Sequence, residues 1–285
     1  MENNKIYDTI VVGYGPAGIS CAIYLKRFNR NVLVIGKDYG TLSGDTYIDN
    51  YYGITHIKGS ELIDKGIEQA KELGIEVIKD EVLAINQGLE FNVECKDHIY
   101  KAKTIFLATG KTRSKVKIEN IDIYDGKGIS YCAICDGFLY RGKKLGIIGS
   151  GEYMKKELET LTRFSKDITV FTNGEDVNLE NYNIVKEHIV SFYGDKKLKG
   201  LKTVNSEYEL DGVFIAVGSA STLSFAKHIG LIINEKNNLE VENYQTNIEG
   251  IFAGGDAIGG LLQIVKATSD GAHAAFEINK YLKNN

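Results

Sequence analysis

Two stretches of this chain share one grammar: a continuous apolar run, a turn punctuated by glycine, then a run with helical spacing. The first is "IYDTIVVGYGPAGISCAIYLKRF", Ile6 to Phe28, and the second is "KKLGIIGSGEYMKKELETL", Lys143 to Leu161. Apolar runs without alternation are strands covered on both faces, which calls for a parallel sheet with helices on each side. Each helix leads to a further apolar strand, "NVLVIG" (Asn31 to Gly36) or "DITVF" (Asp167 to Phe171). "TIFLATG", "GVFIAVG" and "GIFAGGDAIGG" add three more such strands, and the last opens a helix from about Leu262 to Leu282. One strand–turn–helix–strand unit thus sits inside another. The expected fold class is α/β, with two nested dinucleotide-binding, Rossmann-like three-layer domains. Residues 1–112 with 246–285 are expected to form the outer domain and 113–245 the inner one, with crossings near Lys111–Lys115 and Tyr244–Asn247.

Composition narrows the class. The 285 residues hold 31 Gly and a single Pro, and 43% are hydrophobic, so the glycines belong to tight turns and not to a low-complexity chain. A formal net charge of −4 gives no footprint for nucleic acid. The start, "MENNKIYDTIVV", has no basic segment before a long apolar run, so neither a signal peptide nor a membrane span is expected. Four Cys, only two of them close together, do not make a secreted disulfide scaffold, and a cytoplasmic protein is expected. Between the first two parallel units, Ser60 to Leu73 reads as an amphipathic helix with Leu62, Ile63, Ile67, Ala70 and Leu73 on one face and Ser60 as N-cap. Glu76 to Ala102 reads as a small antiparallel meander.

Gly13, Gly15 and Gly18 have G-x-G-x-x-G spacing between a strand and a helix. The first permits the turn, the second lets a pyrophosphate approach the backbone, and the third lets helix and strand pack closely. Pro16 has the fixed φ that such a turn accepts. The second strand ends on Gly36 and Lys37 without the acid that would grip an adenine ribose, which argues against plain NAD. Asp256 ends a late strand among glycines, where it accepts a hydrogen bond from a ribityl hydroxyl or caps the helix that follows.

"YCAICDGF" places Cys132 and Cys135 in C-x-x-C spacing, followed directly by Asp136. A helix starting there would stabilise a thiolate with its amides and dipole, and the carboxylate would move the proton of thiol–disulfide exchange. The competing reading is half a zinc site. Zinc needs about four ligands, and Cys21, Cys95 and the five His are scattered, so a redox dithiol and no metal are expected. Cys21 and Cys95 read as core residues.

Taken together, "GYGPAG", "DNYYG", "LATG", "CAICDGF", "GIIGSGE", "FIAVG" and "GIFAGGDAIGGLLQIVKATSDGAHAA" resemble the low-molecular-weight thioredoxin reductase family over nearly the whole chain. The resemblance implies FAD along Gly13, Gly15, Pro16 and Ala17, then Gly36 and Lys37, then Gly40, Thr41 and Leu42. Asn50, Val82, Ala108, Gly110, Asp256, Gln263 and Ile264 complete the implied site. It also implies that Cys135 faces the flavin, that Cys132 is the interchange thiol for thioredoxin, that Asp136 is the acid/base, and that the protein is a homodimer.

The inner domain departs from the family pattern. NADPH-dependent members carry a small residue where this chain has Met154, and a His-Arg-Arg stretch where it has "FTNGED", Phe171 to Asp176. No arginine follows Arg163, and a 2′-phosphate prefers bidentate Arg and is repelled by carboxylates. NADPH is therefore not the expected donor. The combination resembles the ferredoxin-dependent flavin thioredoxin reductases, which lack a nicotinamide site. A ferredoxin near −400 mV and a thioredoxin near −270 mV differ by ~130 mV, or roughly 6 kcal/mol for two electrons. Alternatives are an NAD(P)H-dependent thioredoxin reductase, an FAD dithiol oxidase using oxygen, and a non-catalytic sensor. Ferredoxins are acidic, so a basic docking face is expected. The clusters available are Lys111, Arg113, Lys115 and Lys117, and the run "GDKKLKGLK" containing Lys196 to Lys202, each equally readable as ordinary solvated surface.

Overall fold

The computed structural model of the chain describes residues 5–43, 47–110, 118–217, 226 and 228–285, the side chain of Cys135 excepted. The first apolar run is β1 (Ile6–Val12), followed by α1 (Pro16–Arg27) and β2 (Val32–Gly36). Two short strands, β3 (Tyr47–Ile48) and β4 (Ile57–Lys58), precede α2 (Gly59–Glu72), β5 (Glu76–Lys79), β6 (Ala84–Asn86), β7 (Phe91–Glu94) and β8 (Ile99–Leu107). Next come α3 (Ile121–Tyr124), β9 (Ile129–Ser130), α4 (Ala133–Asp136), β10 (Leu145–Ile148), α5 (Glu152–Leu161), β11 (Ile168–Phe171) and β12 (Asn183–Val185). The strands β13 (Ile189–Gly194), β14 (Leu198–Thr203), β15 (Glu207–Glu209), β16 (Gly212–Ile215) and β17 (Ile251–Ala253) lead to α6 (Ile264–Asn284). Two compact units result: Met1–Arg113 with Ser221–Asn285, and Ser114–Ala220.

In the first unit β5, β2, β1, β8 and β17 form a parallel sheet, with Val12 opposite both Ile35 and Leu107. Strand β8 serves two neighbours on one side. Its start, from Ile99 to Ala102, pairs antiparallel with β7, and Ile105 to Leu107 pair parallel with β17. The expected meander is thus only β6, β7 and the start of β8; Glu76–Lys79 instead lies parallel to β2. Helices α1 and α6 cover the sheet around Val11, Leu25, Val34, Phe106 and Ile278. They cross so closely that a Cβ on Gly271 would stand 2.1 Å from Ala17 O, a contact only glycine permits.

Helix α2 starts one residue before the expected cap. Lys58 occupies the N-cap position without a side-chain bond, and Ser60 lies inside the first turn. Tertiary fit sets this start, because a Cβ on Gly59 would meet Leu42 O at 2.6 Å. Ile63 and Ala70 of the expected stripe are buried, while Leu73 is exposed.

The second unit holds a fully parallel sheet in the order β12–β11–β10–β16–β9, beside an antiparallel β13–β14–β15 ribbon. Ile148, Phe171, Phe192, Leu201 and Val213 fill its core.

The return to the first unit comes earlier in the chain than residue 246. Leu239 N–H donates to Ala257 O (2.9 Å), Ile232 N–H to Asn247 Oδ1 (2.9 Å), and His228 Nε2 lies 3.2 Å from Asn86 Oδ1. Tyr244–Asn247 is no crossing. Ala253 N–H donates to Tyr244 O at 2.9 Å, and Gln245 bridges Phe252. Backbone pairing with β17, invisible to hydrophobic periodicity, decides this boundary. The other expected crossing, Lys111–Lys115, lies outside the described residues. Among the described residues no helix is long and apolar enough to cross a membrane.

Candidate functional site

Parallel strands end on a common edge, and ligands of such sheets sit beyond their carboxyl ends. The residues singled out in the first unit gather there. Gly13 follows β1, Gly36 and Lys37 mark the end of β2, Val82 lies past β5, Ala108 and Gly110 follow β8, and Asp256 lies past β17. Gly40, Thr41 and Leu42 form a 3₁₀ turn after β2. Asn50 Nδ2 donates to Gln263 Oε1 at 3.0 Å, joining two members 213 positions apart. Gln263 is the residue before α6 and Ile264 is the first within it.

The three glycines of the turn differ in what requires them. Gly13 has φ +103°, and a Cβ there would stand 2.4 Å from Ala108 O. A Cβ on Gly18 would stand 1.9 Å from Gly13 O. Both are therefore demanded by the protein's own packing. Gly15 has φ −67°, and a Cβ there would meet no atom within 4 Å. The chain alone gives no reason for glycine at that position; a group pressed against the backbone at the head of α1 does. Pro16 opens α1, where its missing N–H is harmless, and Ala17 is buried beneath. These residues fit the pyrophosphate of a dinucleotide.

Sequence reasoning missed Glu81. Lys37 Nζ lies 3.1 Å from Glu81 Oε2, so a carboxylate from beyond β5 stands beside the end of β2, where the local sequence supplies none. It also missed the pair that pins the Asp256 turn. Lys266 Nζ donates to Gly255 O (2.9 Å) and Gly259 O (2.6 Å) and pairs with Asp270 Oδ2 (2.7 Å), which accepts Gly255 N–H (2.9 Å). The one-turn spacing K-x-x-x-D was the available signal. Asp256 itself lies in a 3₁₀ turn, Gly255–Ile258, and does not cap α6. Asp270 is buried. Asp270→Ala is therefore expected to cost about 3–5 kcal/mol, because it leaves Lys266 and the Gly255 amide without their carboxylate. Denaturant midpoints check this.

In the second unit Cys132 is buried and disulfide-bonded; the side chain of Cys135 lies outside the described residues. Helix α4 is only four residues long and passes into a 3₁₀ turn, Gly137–Tyr140. A helix does start after Cys132, but one turn carries little dipole, and side chains act on the turn beside it. Ser130 Oγ donates to Asp136 Oδ2 at 2.6 Å and accepts Cys132 N–H at 3.2 Å. Glu157 Oε2, on α5, accepts Ala133 N–H at 2.6 Å. Burial raises the Glu157 carboxyl above its ordinary range, opposed by the Ala133 bond and by Lys156. Ser130 and Glu157 carried no sequence signal, because they belong to β9 and α5 and not to the C-x-x-C stretch. Cys21 and Cys95 are buried and in no disulfide, and burial pushes the Cys21 thiol far up. Both are core residues; Cys95 sits just past β7. Among the described residues no three His, Cys, Asp or Glu are gathered around a metal position.

The second glycine turn repeats the first and then diverges. Gly149 has φ +151°, and a Cβ there would stand 2.2 Å from Ala216 O, matching Gly13 against Ala108. Gly151 is the residue before α5, as Gly15 is before α1. The counterpart of Gly18 is Met154, fully buried, with its Cβ 2.9 Å from a Cβ built on Gly149. Glu152 opens α5 and pairs with Lys155 at 3.0 Å. Beyond β11, Glu175 N–H closes a turn onto Thr172 O (3.1 Å), and Asp176 pairs with Lys186 (2.6 Å), which lowers its carboxyl. In the lysine run, Lys199 pairs with Asp195 (2.6 Å) and Lys202 with Glu207 (3.0 Å), so that face is of mixed sign. Lys111, Arg113, Lys115 and Lys117 lie outside the described residues.

Residues 7–271 match the pyridine nucleotide-disulphide oxidoreductase family. The thioredoxin reductase of Bacillus subtilis (strain 168) is 32% identical over 307 residues, covering 99% of this chain and 97% of that one. Among solved structures, the atypical thioredoxin reductase of Desulfovibrio vulgaris Hildenborough aligns with a TM-score of 0.91 at 34% identity, over 98% of this chain and 99% of that chain. A ferredoxin-flavin thioredoxin reductase from Clostridium acetobutylicum aligns with a TM-score of 0.76 at 30% identity, again over 98% and 99%.

Proposed function

Because the chain belongs to the pyridine nucleotide-disulphide oxidoreductase family and, within it, to the low-molecular-weight thioredoxin reductases, we propose that it passes electrons from reduced ferredoxin through FAD and the Cys132–Cys135 pair to thioredoxin disulfide. Thioredoxin-disulfide reduction and FAD come with the family. In this reading the protein works as a cytoplasmic homodimer.

FAD would be held along Gly13, Gly15, Pro16 and Ala17, with Gly36, Lys37 and the Gly40–Leu42 turn. Asn50, Val82, Ala108, Gly110, Asp256, Gln263 and Ile264 would complete its surroundings. When bound, FAD supplies electron transfer in single or paired steps. The sulfurs carry the exchange. Once the pair is reduced, the Cys132 thiolate attacks one sulfur of thioredoxin and expels the other as a thiolate, which takes up a proton. The Cys135 thiolate then attacks the Cys132 sulfur, releases the second thioredoxin thiol and closes the Cys132–Cys135 disulfide. Asp136, held by Ser130, is the group beside the pair suited to hold and return protons.

The observation that carries the donor assignment is Met154. It is fully buried in the position where the first unit needs glycine. The turn after β11, which holds Glu175 and Asp176 and no arginine, supports the same reading, because it offers a 2′-phosphate no bidentate guanidinium and the nearby cation Lys186 is already paired with Asp176. The test is anaerobic visible spectroscopy of the bound flavin with NADPH, NADH and reduced ferredoxin in turn. Bleaching by ferredoxin, coupled to release of thioredoxin thiols, is expected. Rapid bleaching by NADPH or NADH would overturn the donor assignment. Fast reoxidation in air with a small dithiol would point to an oxidase, and inertness to every donor to a sensor.

A further inference from the structure

Two carboxylates reach the dithiol turn, and they reach it by different routes. Asp136 is joined to it through the Ser130 hydroxyl, whereas Glu157 takes the Ala133 amide directly at 2.6 Å. Ala133 follows Cys132, and covalent geometry keeps its nitrogen within about 3–5 Å of the Cys132 sulfur. Amides at the head of a C-x-x-C turn ordinarily stabilise the thiolate of the first cysteine. Here one of those amides is turned to the Glu157 carboxyl; burial disfavours its charged form, while the Ala133 bond and Lys156 favour it, and when ionised it sets a negative charge beside the sulfur.

We propose that Glu157 is a positioning residue that anchors this turn and restrains ionisation of the Cys132 thiol. The inference rests on the dithiol reading above. Reduction of the disulfide consumes two electrons and up to two protons. A disulfide is neutral, whereas the thiolate formed on reduction is repelled by a neighbouring carboxylate. Glu157 therefore favours the oxidised form over the thiolate, which makes the pair a stronger reductant. It also keeps Cys132 protonated to higher pH than a neutral partner would. The charged and titratable groups on the packed elements are Asp136 of α4, Glu152, Tyr153, Lys155, Lys156 and Glu159 alongside Glu157 on α5, and Tyr131 and Tyr140 beside them. Tyr131 is pushed up to about 12, chiefly by burial and also by Asp125 and Asp122, and Tyr140 is raised by burial and Asp136, so neither supplies a competing charge.

Glu157→Gln keeps the length and the acceptor oxygen for Ala133 while removing the charge. In a Cys135→Ser background, where Cys132 is the reactive thiol, the pH midpoint for its alkylation by iodoacetamide is expected to fall by about one unit on Glu157→Gln. With both cysteines present, the same substitution is expected to move the disulfide–dithiol equilibrium about tenfold toward the dithiol once Cys132 is ionised, or about 30 mV. Glu159→Gln, on the exposed face of the same helix, removes an equal formal charge and is expected to leave the midpoint in place. A midpoint that coincides between Glu157→Gln and its parent overturns the proposal, as does an equal shift in Glu159→Gln. If Glu157→Gln does not fold, Glu157→Met carries the same expected shift and the same overturning result. A Cys132 that no thiol reductant frees from its disulfide overturns the dithiol reading and this inference with it. A reducible pair with an unmoved midpoint counts against Glu157 alone.

Discussion

Cys135→Ser is expected to lower thioredoxin-disulfide turnover by about 10⁴-fold or more, the scale on which removal of a covalent catalytic group is felt. Serine oxygen neither forms nor leaves a disulfide, so the second half of the exchange stops. The flavin should stay, because every residue assigned to it belongs to Met1–Arg113 or Ser221–Asn285, whereas Cys132 and Cys135 belong to Ser114–Ala220. The two single variants should also differ in kind. With Cys135 gone, Cys132 still attacks thioredoxin and remains joined to it as a mixed disulfide, which a non-reducing gel reads. Cys132→Ser should give no such adduct. Adduct formation by Cys132→Ser instead would exchange the two roles, and full turnover by either variant would remove the dithiol from the mechanism.

Gly18→Ala and Gly15→Ala are expected to fail in opposite ways. The new Cβ at Gly18 would meet Gly13 O at 1.9 Å and Gly13 C at 3.0 Å. Both are backbone atoms, so α1 must move off β1. Overpacking of this sort costs about 1–3 kcal/mol, and more where backbone must shift. A loss of about 3 kcal/mol or more is therefore expected, with protein purified largely free of flavin. At Gly15 the new Cβ enters open space with an ordinary φ. Stability without cofactor should be unchanged, while FAD affinity falls by about 5–150-fold if the same 1–3 kcal/mol is imposed on the bound state alone. Unfolding curves of the apoprotein and fluorescence titration with FAD separate the two. Undiminished FAD affinity in Gly15→Ala would remove the pyrophosphate from that turn.

Much of this is legible in the amino-acid sequence. Gly18 announces itself because a Cβ there would strike Gly13 O, five positions earlier, and Gly13 because its φ of +103° suits glycine; both constraints are written within six residues. The duplicated frame is equally local, and the repeat of Gly13 against Ala108 by Gly149 against Ala216 shows how faithfully spacing predicts backbone. The replacement of the third glycine by Met154 is readable for the same reason. The start of α2 is not, since Gly59 is fixed by Leu42, a residue outside the helix.

The sequence by itself determined the two strand–turn–helix frames, the glycines that close them, and the C-x-x-C-D stretch, because each is governed by sterics or chemistry among near neighbours. Only the tertiary structure decided that Glu81 stands beside Lys37, that Lys266 and Asp270 clamp the Asp256 turn, and that Glu157 takes the amide after Cys132 from 24 positions away. It also decided where the chain returns to its first unit. Those outcomes depend on which distant segments the sheet order brings within a hydrogen bond's length, and no local period records that.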